Sequence, residues 1–416
     1  MSISAIDLTD GGSNTGDLDR DLEQELKRRL AAVRSAMAEA GYDALVCADG
    51  GGWFQPSGAT RYLTDFALGP MAGVVEGTAV VVPAAGPPVL VVPQGPRGGF
   101  AAWARQSARG AEVQSDPAGG LAGNLLEDVL TAARASVGGR ARLGLSGIFP
   151  GWAEALAGRL PGSVVVDTAV RDGGGTRRDL LERVRARKSA WEVTALTHAQ
   201  RCAEAGMHAF LSAAVPGRRL TEASAEAHLA AVRAGAEDQL TIMNCGADPW
   251  MWWHDQGERV VRRDRVLTLE TNARYRGYVA QYARATTVGS PSAAQQTLLE
   301  VARDSVAAMV DHLQTGATGD DLYRAGTAPV RRAGLEPWGR FGHGLGLSAD
   351  EGIAVTAGDD NLVSEGTCLT LHASVLDPDT NETALIGEQY VVRADGTAAP
   401  LSPTIPRHLD KEGTQP

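Results

Sequence analysis

One stretch of the sequence constrains the fold more than any other: residues 266–289 (VLTLETNARYRGYVAQYARATTVG) contain two strand-like runs joined by RYRG. This pattern predicts a long antiparallel hairpin with its turn at RYRG. The first strand places Glu270 on one face, and the return strand carries Gln281 and Arg284. Inward-facing carboxylates on paired strands can hold metal ions or a polar substrate. The competing interpretation is a hairpin whose polar side lies in solvent.

Predicted strands and helices alternate as far as about residue 170, which favours an α/β domain. Beyond residue 170 they are grouped in blocks, which is typical of an α+β domain. Apolar residues recur at helical spacing from Leu18 to Met37, and Gly41 stands where this helix would end. Two further helices are predicted at 292–314 and 318–333. The predicted organisation is a disordered leader at 1–17, an N-terminal domain at 18–178, a second domain at 179–400 and a tail at 401–416, with the junction inside 171–187.

Charge and composition exclude several classes of partner. The net charge is −11 and no block of Lys and Arg stands out, which argues against nucleic acid or an acidic membrane surface as a partner. No uninterrupted apolar run approaches the roughly 20 residues that cross a bilayer. The four cysteines form no CxxC pair and no disulfide framework. We therefore expect a cytoplasmic protein.

The segment PWMWWHDQG, just before the hairpin, contains His254 and three tryptophans, Trp250, Trp252 and Trp253. Three tryptophans within four residues are unusual on a soluble surface, so they could form the wall of a pocket and stack on a flat or cationic substrate. The competing interpretation is core packing around a histidine whose hydrogen bonds are satisfied.

Three later residues are candidates for the same site. His343 lies in FGHGLGL, where flanking glycines leave the imidazole accessible, although such loops are often only turns. His372 in LTLHAS stands in an apolar strand, where a buried imidazole needs partners. Glu388 in ALIGEQYVV also stands in an apolar strand, where a buried carboxylate needs partners. The other histidines fit ordinary helix or surface positions, and the chain has no P-loop, GxSxG or HExxH motif.

Together, these segments resemble the methionine aminopeptidase, prolidase and creatinase superfamily over about residues 20–397. ATRYLTDF at 59–66, RKSAWEVTAL at 187–196 and RFGHGLGLSADEG at 340–352 resemble signatures of the two-domain creatinase/prolidase branch. The resemblance implies an α+β fold with a C-terminal pita-bread catalytic domain, preceded by an α/β creatinase-type N-terminal domain.

Metal-dependent members of this superfamily hold two ions with two Asp, one His and two Glu. By resemblance, these positions fall on Glu270, Gln281, His343, His372 and either Gly387 or Glu388. Gln281 is neutral and Gly387 has no side chain, so two hard divalent ions would lack their bridging carboxylates. A further substrate-contacting histidine of the peptidases falls on Asp350. These substitutions argue against a dinuclear aminopeptidase.

Creatinase provides a metal-free precedent, and its acid/base histidine falls on His254, whereas its return-strand glutamate falls on Ala283. We therefore predict a metal-independent, creatinase-like hydrolase or lyase that cleaves a C–N bond in a small molecule, with no cofactor. His254 would transfer the proton. Glu270 and Glu388 would anchor the substrate or position water. His343 and His372 would hydrogen-bond the reacting group, and Gln281, Arg284, Asp350 and the tryptophans would contact the substrate.

Two alternatives remain open. A single metal ion (Fe, Mn or Zn) could bind Glu270, His343 and His372, a carboxylate and two imidazoles. The chain could instead be a catalytically inactive protein that binds a small molecule in the retained pocket. The resemblance also implies a homodimer in which Trp53, Phe54 and Arg61 could reach a neighbouring pocket. The identity of the substrate does not follow from the sequence.

Overall fold

The computed structural model of the protein describes residues 15–49, 58–67, 77–115, 125–137, 139–147, 151–171, 177–247 and 259–402. The chain divides into two compact units. The first contains residues 14–171 and 177–185, and the second consists chiefly of residues 186–416. The division between residues 185 and 186 lies C-terminal to the predicted boundary at 178–179.

The first unit is built on a six-stranded mixed sheet with the order β4-β3-β2-β1-β5-β6. Its strands are β1 (Ala44–Asp49), β2 (Thr78–Pro83), β3 (Val89–Val91), β4 (Glu112–Gln114), β5 (Arg142–Ser146) and β6 (Val164–Asp167), followed by the short pair β7 (Val170–Arg171) and β8 (Arg177–Arg178). Its helices are α1 (Thr15–Ala40), α2 (Gly58–Thr64), α3 (Gly99–Ser107), α4 (Leu125–Val137), α5 (Trp152–Arg159) and α6 (Leu180–Arg185). Because β1 pairs in parallel with β5 and antiparallel with β2, the predicted α/β N-terminal domain is confirmed.

Helix α1 shows why the first segment folds as predicted. Apolar residues at helical spacing, from Leu18 to Met37, are buried in the described structure. The chain turns at Gly41, whose φ of 72° is a backbone conformation that glycine adopts without strain. The helix begins at Thr15, within the segment that the sequence analysis assigned to a disordered leader.

The second unit contains an eight-stranded sheet and four long helices. The strand order is β12-β14-β15-β11-β10-β9, with β13 on β14 and β16 on β15. Its strands are β9 (Asp238–Cys245), β10 (Val266–Tyr275), β11 (Tyr278–Thr287), β12 (Glu336–Pro337), β13 (Gly342–Gly344), β14 (Cys368–Leu376), β15 (Thr383–Val392) and β16 (Ala398–Pro400). Its helices are α7 (Ala190–Ala213), α8 (Leu220–Arg233), α9 (Ala293–His312) and α10 (Gly319–Arg332). The two helices predicted between the strand blocks are therefore confirmed.

Two long hairpins form the centre of this sheet. The β10–β11 hairpin closes at the Tyr275–Tyr278 pair, which confirms the turn predicted at RYRG, and β14 pairs with β15 along nearly its whole length. The hairpins meet where Ala283 of β11 pairs with Gly387 of β15. Most apolar residues of these strands lie on one side of the sheet and pack against α7 and α8 or against α9 and α10. We call this side the helix-covered face and the other the site face.

Two further expectations concern the described part of the chain. None of the described helices is long and apolar enough to cross a membrane. All four cysteines lie in described residues, are buried and form no disulfide, as their spacing predicted.

Candidate active site

Strand alternation determines which hairpin residues can form a site. Successive side chains of a strand point to opposite faces, and Leu269 belongs to the apolar cluster that packs under α7 and α8. Glu270 and Asn272 are therefore on the site face, as is Gln281, which pairs directly with Asn272.

Glu270 is buried, and two side-chain amides hold its carboxylate. The Nδ2 group of Asn272 donates to Oε1 (2.8 Å), and the Nε2 group of Gln281 donates to Oε2 (2.7 Å). Burial raises the pKa of Glu270 from 4.5 to about 7, although the two amide donors and the charge of Arg340 act in the opposite direction. Glu270 can therefore hold or release a proton near neutral pH, as a general acid or base must.

One row of paired residues crosses the two hairpins on the site face. Glu270 pairs with Ala283, Ala283 with Gly387, and Gly387 with His372. Ala283 and Gly387 place no large side chain between the carboxylate and the imidazole. In this register Gly387 pairs with His372, whereas Glu388 pairs with Leu371.

The approach of β15 to β14 explains the glycine at this position. A Cβ atom on Gly387 would lie 2.4 Å from the Cβ of His372 and 2.9 Å from its Cα. Real Cβ atoms do not come this close to other heavy atoms, so any side chain at position 387 would push the two strands apart.

His343 and His372 lie side by side, with ring centroids 5.5 Å apart. Nδ1 of His343 donates to the carbonyl of Gly344 (3.1 Å), which leaves Nε2 as the acceptor of the neutral ring. Burial, followed by the charge of Arg340, lowers the pKa of His343 to about 3. Burial, followed by the neighbouring His343, lowers the pKa of His372 well below its usual range. Both imidazoles are therefore neutral near pH 7 and can donate or accept hydrogen bonds.

The glycine-rich loop that carries His343 is tied down by Glu351. A Cβ on Gly344 would lie 1.8 Å from the carbonyl oxygen of Glu351, so only glycine fits there. The Glu351 side chain accepts from the Ser348 N–H (2.7 Å) and forms a buried ion pair with Lys188 (3.1 Å). The loop is thus a packed element that fixes His343 in place.

Two buried residues of the site face were missed by sequence reasoning. Thr370 pairs with His343 on one side and with Gln389 on the other, so all three share a face. Within the described part of the chain, the Thr370 hydroxyl, Nδ1 of His372 and both amide atoms of Gln389 have no hydrogen-bond partner. Thr370 is two residues from His372, and Gln389 is two residues from Gly387. Because alternate residues of a strand share a face, this spacing could have identified them from the sequence.

The structure separates two predicted site residues from the others. Arg284 pairs with Leu269, and Glu388 pairs with Leu371, so both lie on the helix-covered face. There they form an ion pair, and the guanidinium stacks over the ring of Tyr282 at 3.9 Å. The prediction that Glu388 and Glu270 anchor one substrate together is therefore wrong in its geometry, because a shift of one residue along a strand reverses the face.

Asp350 is half exposed and pairs with Arg340. Sequence reasoning missed Arg340, whose charge acts on Glu270, His343 and His372 and lowers the pKa of each. Arg340 stands three residues before His343 and two residues before the start of β13, the strand that carries His343.

Most of the remaining predicted residues lie outside the described part of the chain. His254, Trp250, Trp252 and Trp253 lie in 248–258, outside the described residues, and so do Trp53 and Phe54. Arg61 is on α2, with its Nε 3.9 Å from Oδ1 of Asp65.

Two of the positions that the resemblance assigns to metal ligands, Gln281 and Gly387, carry no carboxylate. Gln281 points an amide N–H group at Glu270, and the tight strand approach excludes a side chain at Gly387. Among the residues that the structure describes, no group of three His, Cys, Asp or Glu side chains is arranged to hold a metal ion. Glu270, His343 and His372 are nevertheless chemically suitable ligands for a single transition metal.

Comparisons with known proteins agree with this architecture. Residues 194–394 match the family model described as Metallopeptidase family M24. The chain is 27% identical to a probable dipeptidase PepE of Mycobacterium bovis over 393 residues, which cover 89% of this chain and 93% of that protein. It is 28% identical over 143 residues, 33% of this chain and 36% of the relative, to an agropine synthesis cyclase of Rhizobium rhizogenes. The crystal structure of dipeptidase PepE from Mycobacterium ulcerans shares the fold, with a TM-score of 0.73 at 24% identity, over 93% of this chain and 98% of that one.

Proposed function

We propose that this protein is a hydrolase that cleaves a C–N bond in a small molecule without a pair of metal ions. The proposal proceeds from the match of residues 194–394 to metallopeptidase family M24, which makes the chain a member of that family. Dipeptidases, to which the chain is similar, hydrolyse such a bond. The relative named as a cyclase indicates that similarity extends to a protein not named as a peptidase. These comparisons support C–N chemistry, and the side chains of the site support the metal-independent form.

The observation that carries the proposal is the arrangement around Glu270. Two amide N–H groups hold its carboxylate in a buried position, and Ala283 and Gly387 place no large side chain between it and His372. In this site Glu270 would accept a proton from water as the water oxygen attacks the carbonyl carbon of the substrate. His343 and His372, as neutral imidazoles, would hydrogen-bond the oxygen on which charge develops.

The reaction is complete when the C–N bond breaks and the leaving nitrogen takes up a proton. We propose that His254 donates it, as a histidine at this position would in the creatinase-like branch. Glu270 then releases to solvent the proton that it took from water, and His254 takes up a proton from solvent, which restores the starting state of both groups. An elimination would use the same groups, with the proton taken from carbon in place of water. Both reactions require only proton transfers that these side chains can perform.

The proposal is tested by kinetics on the purified protein with dipeptides, including Xaa-Pro, and with small amides and guanidino compounds. Glu270→Gln and His254→Ala should each lower kcat by about 10²–10⁴-fold, the usual contribution of a general acid or base, and a chelator should leave kcat unchanged. Full activity of both variants would contradict the mechanism.

A single-metal enzyme is the second candidate, and the unpartnered, buried Nδ1 of His372 beside His343 favours it. Such an ion would polarise a carbonyl group as a Lewis acid. Elemental analysis of the purified protein separates the two candidates: a stoichiometric transition metal, with activity lost on chelation and restored by the same ion, would replace the metal-independent proposal.

A non-catalytic binding protein is the third candidate. The substituted positions carry Glu, Gln and His, and unpartnered polar groups are costly to bury. Retained polarity therefore supports a functioning site, and thermal-shift screening followed by turnover assays would distinguish a binder from an enzyme.

We also propose a homodimer, which rests on the resemblance, and a cytoplasmic location, which rests on the cysteine content.

A further inference from the structure

A second set of polar side chains lies on the site face beside the groups that the proposed reaction uses. Thr370 and Gln389 are paired across β14 and β15, and His372 follows Thr370 by two residues on the same strand. All three are more than nine-tenths buried. All three are neighbours of Gly387 on the site face, since His372 is paired with Gly387 and Gln389 follows it by two residues.

These side chains are poorly satisfied by the protein itself. The Thr370 hydroxyl, Nδ1 of His372 and both Oε1 and Nε2 of Gln389 lack hydrogen-bond partners in the part of the chain that the structure describes. Buried polar side chains are nearly always hydrogen-bonded. Four such atoms on neighbouring residues therefore indicate a surface that makes its hydrogen bonds to a ligand.

We propose that Gln389 and Thr370 bind an uncharged amide group whose N–H and C=O lie on the same side, as in a small lactam, a primary carboxamide or a urea. The Gln389 side chain presents one acceptor and one donor side by side. Its complement is a ligand that presents a donor and an acceptor at the same spacing, so that two parallel hydrogen bonds form. The Thr370 hydroxyl supplies a third hydrogen bond.

This geometry discriminates between kinds of amide. A peptide bond is almost always trans, so its N–H and C=O point in opposite directions and cannot both reach one Gln side chain. A guanidinium group has only donors, so it would satisfy Oε1 of Gln389 and leave Nε2 facing another donor. The site should therefore prefer a lactam or primary amide to a linear peptide or a guanidino compound.

The bound group would lie near the proposed reaction centre. Gln389 is two residues from Gly387, which stands in the same row as Glu270 and His372. This inference rests on the proposed function for the reaction and adds to it the class of substrate.

The test measures binding to the full-length protein by ligand-observed NMR titration, with 2-pyrrolidinone, N-methylacetamide and methylguanidinium as probes. The lactam should bind about tenfold tighter than the trans amide, since one hydrogen bond to a neutral group is worth roughly that factor. Gln389→Leu and Thr370→Val should each weaken lactam binding by about tenfold and leave the melting temperature at or above that of the wild type. Equal affinities for the lactam and the trans amide, or no measurable binding of the lactam, would overturn the proposal.

A matched control is available in α10. Thr327 is as buried as Thr370, but its hydroxyl donates to the helix carbonyl of Tyr323 (2.8 Å). Thr327→Val should leave lactam binding unchanged, and an equal loss in both threonine variants would overturn the assignment of Thr370. Because binding is measured without turnover, an inactive protein that discriminates between the probes would contradict only the proposed function. An active protein with an unchanged KM in Gln389→Leu would contradict only this inference.

Discussion

Two glutamates of the same sheet show how strongly position determines chemistry. Two neutral amides hold the Glu270 carboxylate, and among the described residues no cation contacts it directly, so burial dominates and its pKa rises to about 7. Glu388 pairs with the guanidinium of Arg284 and accepts from the Tyr390 hydroxyl on the opposite face. The first can exchange a proton near neutrality, whereas the second is one partner of a structural ion pair.

The raised pKa of Glu270 predicts a pH-dependent stability. The folded chain keeps this proton between pH 4.5 and about 7, where the unfolded chain has released it. The stabilisation from Glu270 is therefore fully present below pH 4.5 and is lost as the pH rises through about 7. The loss is on the order of 3 kcal/mol, at about 1.4 kcal/mol per pH unit. Urea unfolding of wild type and Glu270→Gln across this range should show the decline in the wild type only, and parallel curves would contradict it.

The contribution of His343 and His372 to folding stability changes with pH in the opposite direction to that of Glu270. Their lowered pKa values mean that their stabilising contribution is present above pH 6.5 and is lost as the pH falls, for His343 toward about 3. Wild type and Glu270→Gln both retain the histidines. The difference between their unfolding free energies therefore contains only the pH dependence that Glu270 causes.

Glu388→Gln should affect stability and not catalysis. The substitution removes the charge that Arg284 faces inside the protein, so we expect the free energy of unfolding to fall by about 2 kcal/mol. Because Glu388 lies on the helix-covered face, kcat/KM at a temperature where the variant is folded should stay close to wild type. A loss of kcat/KM as large as that of Glu270→Gln would return Glu388 to the site.

Single residues were predicted from the sequence where their context is unusual. His343 and His372 stand out because each is a polar residue in a glycine-rich or apolar run, whereas Glu270 was identified from strand alternation and from the resemblance. Thr370 and Gln389 were missed because threonine and glutamine are ordinary in strands. Their importance depends on which face they occupy, and that is set by the pairing of β14 with β15, which no local pattern encodes.

At the scale of elements, the close approach of β14 and β15 decides what position 387 can carry. Gly387→Ala should lower the free energy of unfolding by at least about 1–3 kcal/mol, since the added Cβ overlaps His372 and the strands must separate. Gly158→Ala in α5 is a suitable control, because a Cβ there meets no atom within 4 Å and alanine favours a helix. Equal melting temperatures for Gly387→Ala and wild type would show that the strands can move apart at little cost.

The helices and the first hairpin were predictable because local signals agree with the fold. Ser292 and Thr318 cap α9 and α10 with capping boxes completed by Gln295 and Asp321, and RYRG forms the turn between β10 and β11. The junction of the two hairpins was not predictable, because Ala283 and Gly387 are distant in sequence and carry no group that marks their pairing.

At the scale of the molecule, the block arrangement of strands and helices predicted the fold class of each unit correctly. The first unit has its own apolar cluster between its sheet and α4, and the second has separate clusters beneath each pair of helices. Each unit is therefore large enough to have a core of its own.

The proposal of a homodimer predicts a measurable mass. Light scattering coupled to size exclusion should give twice the 43.4 kDa of one chain at the concentration of the activity assay. In the enzymes that the chain resembles, the N-terminal domain of one subunit lies near the active site of the other. Dilution below the dissociation constant of the dimer would remove that domain and should therefore also reduce kcat/KM. A fully active species with the mass of one chain would contradict the proposal.

The pairing of Ala283 with Gly387 has a mechanical consequence. The backbone register between the two hairpins contains this one pair, and side chains make the other bonds between them, from Thr268 Oγ1 to the Thr383 carbonyl and from Arg284 to the Gly387 carbonyl. The spacing of Glu270 and His372, which stand on different hairpins, therefore depends on these side chains as well as on the backbone. A substitution at Thr268 or Arg284 should change that spacing while the pairing within each hairpin is kept.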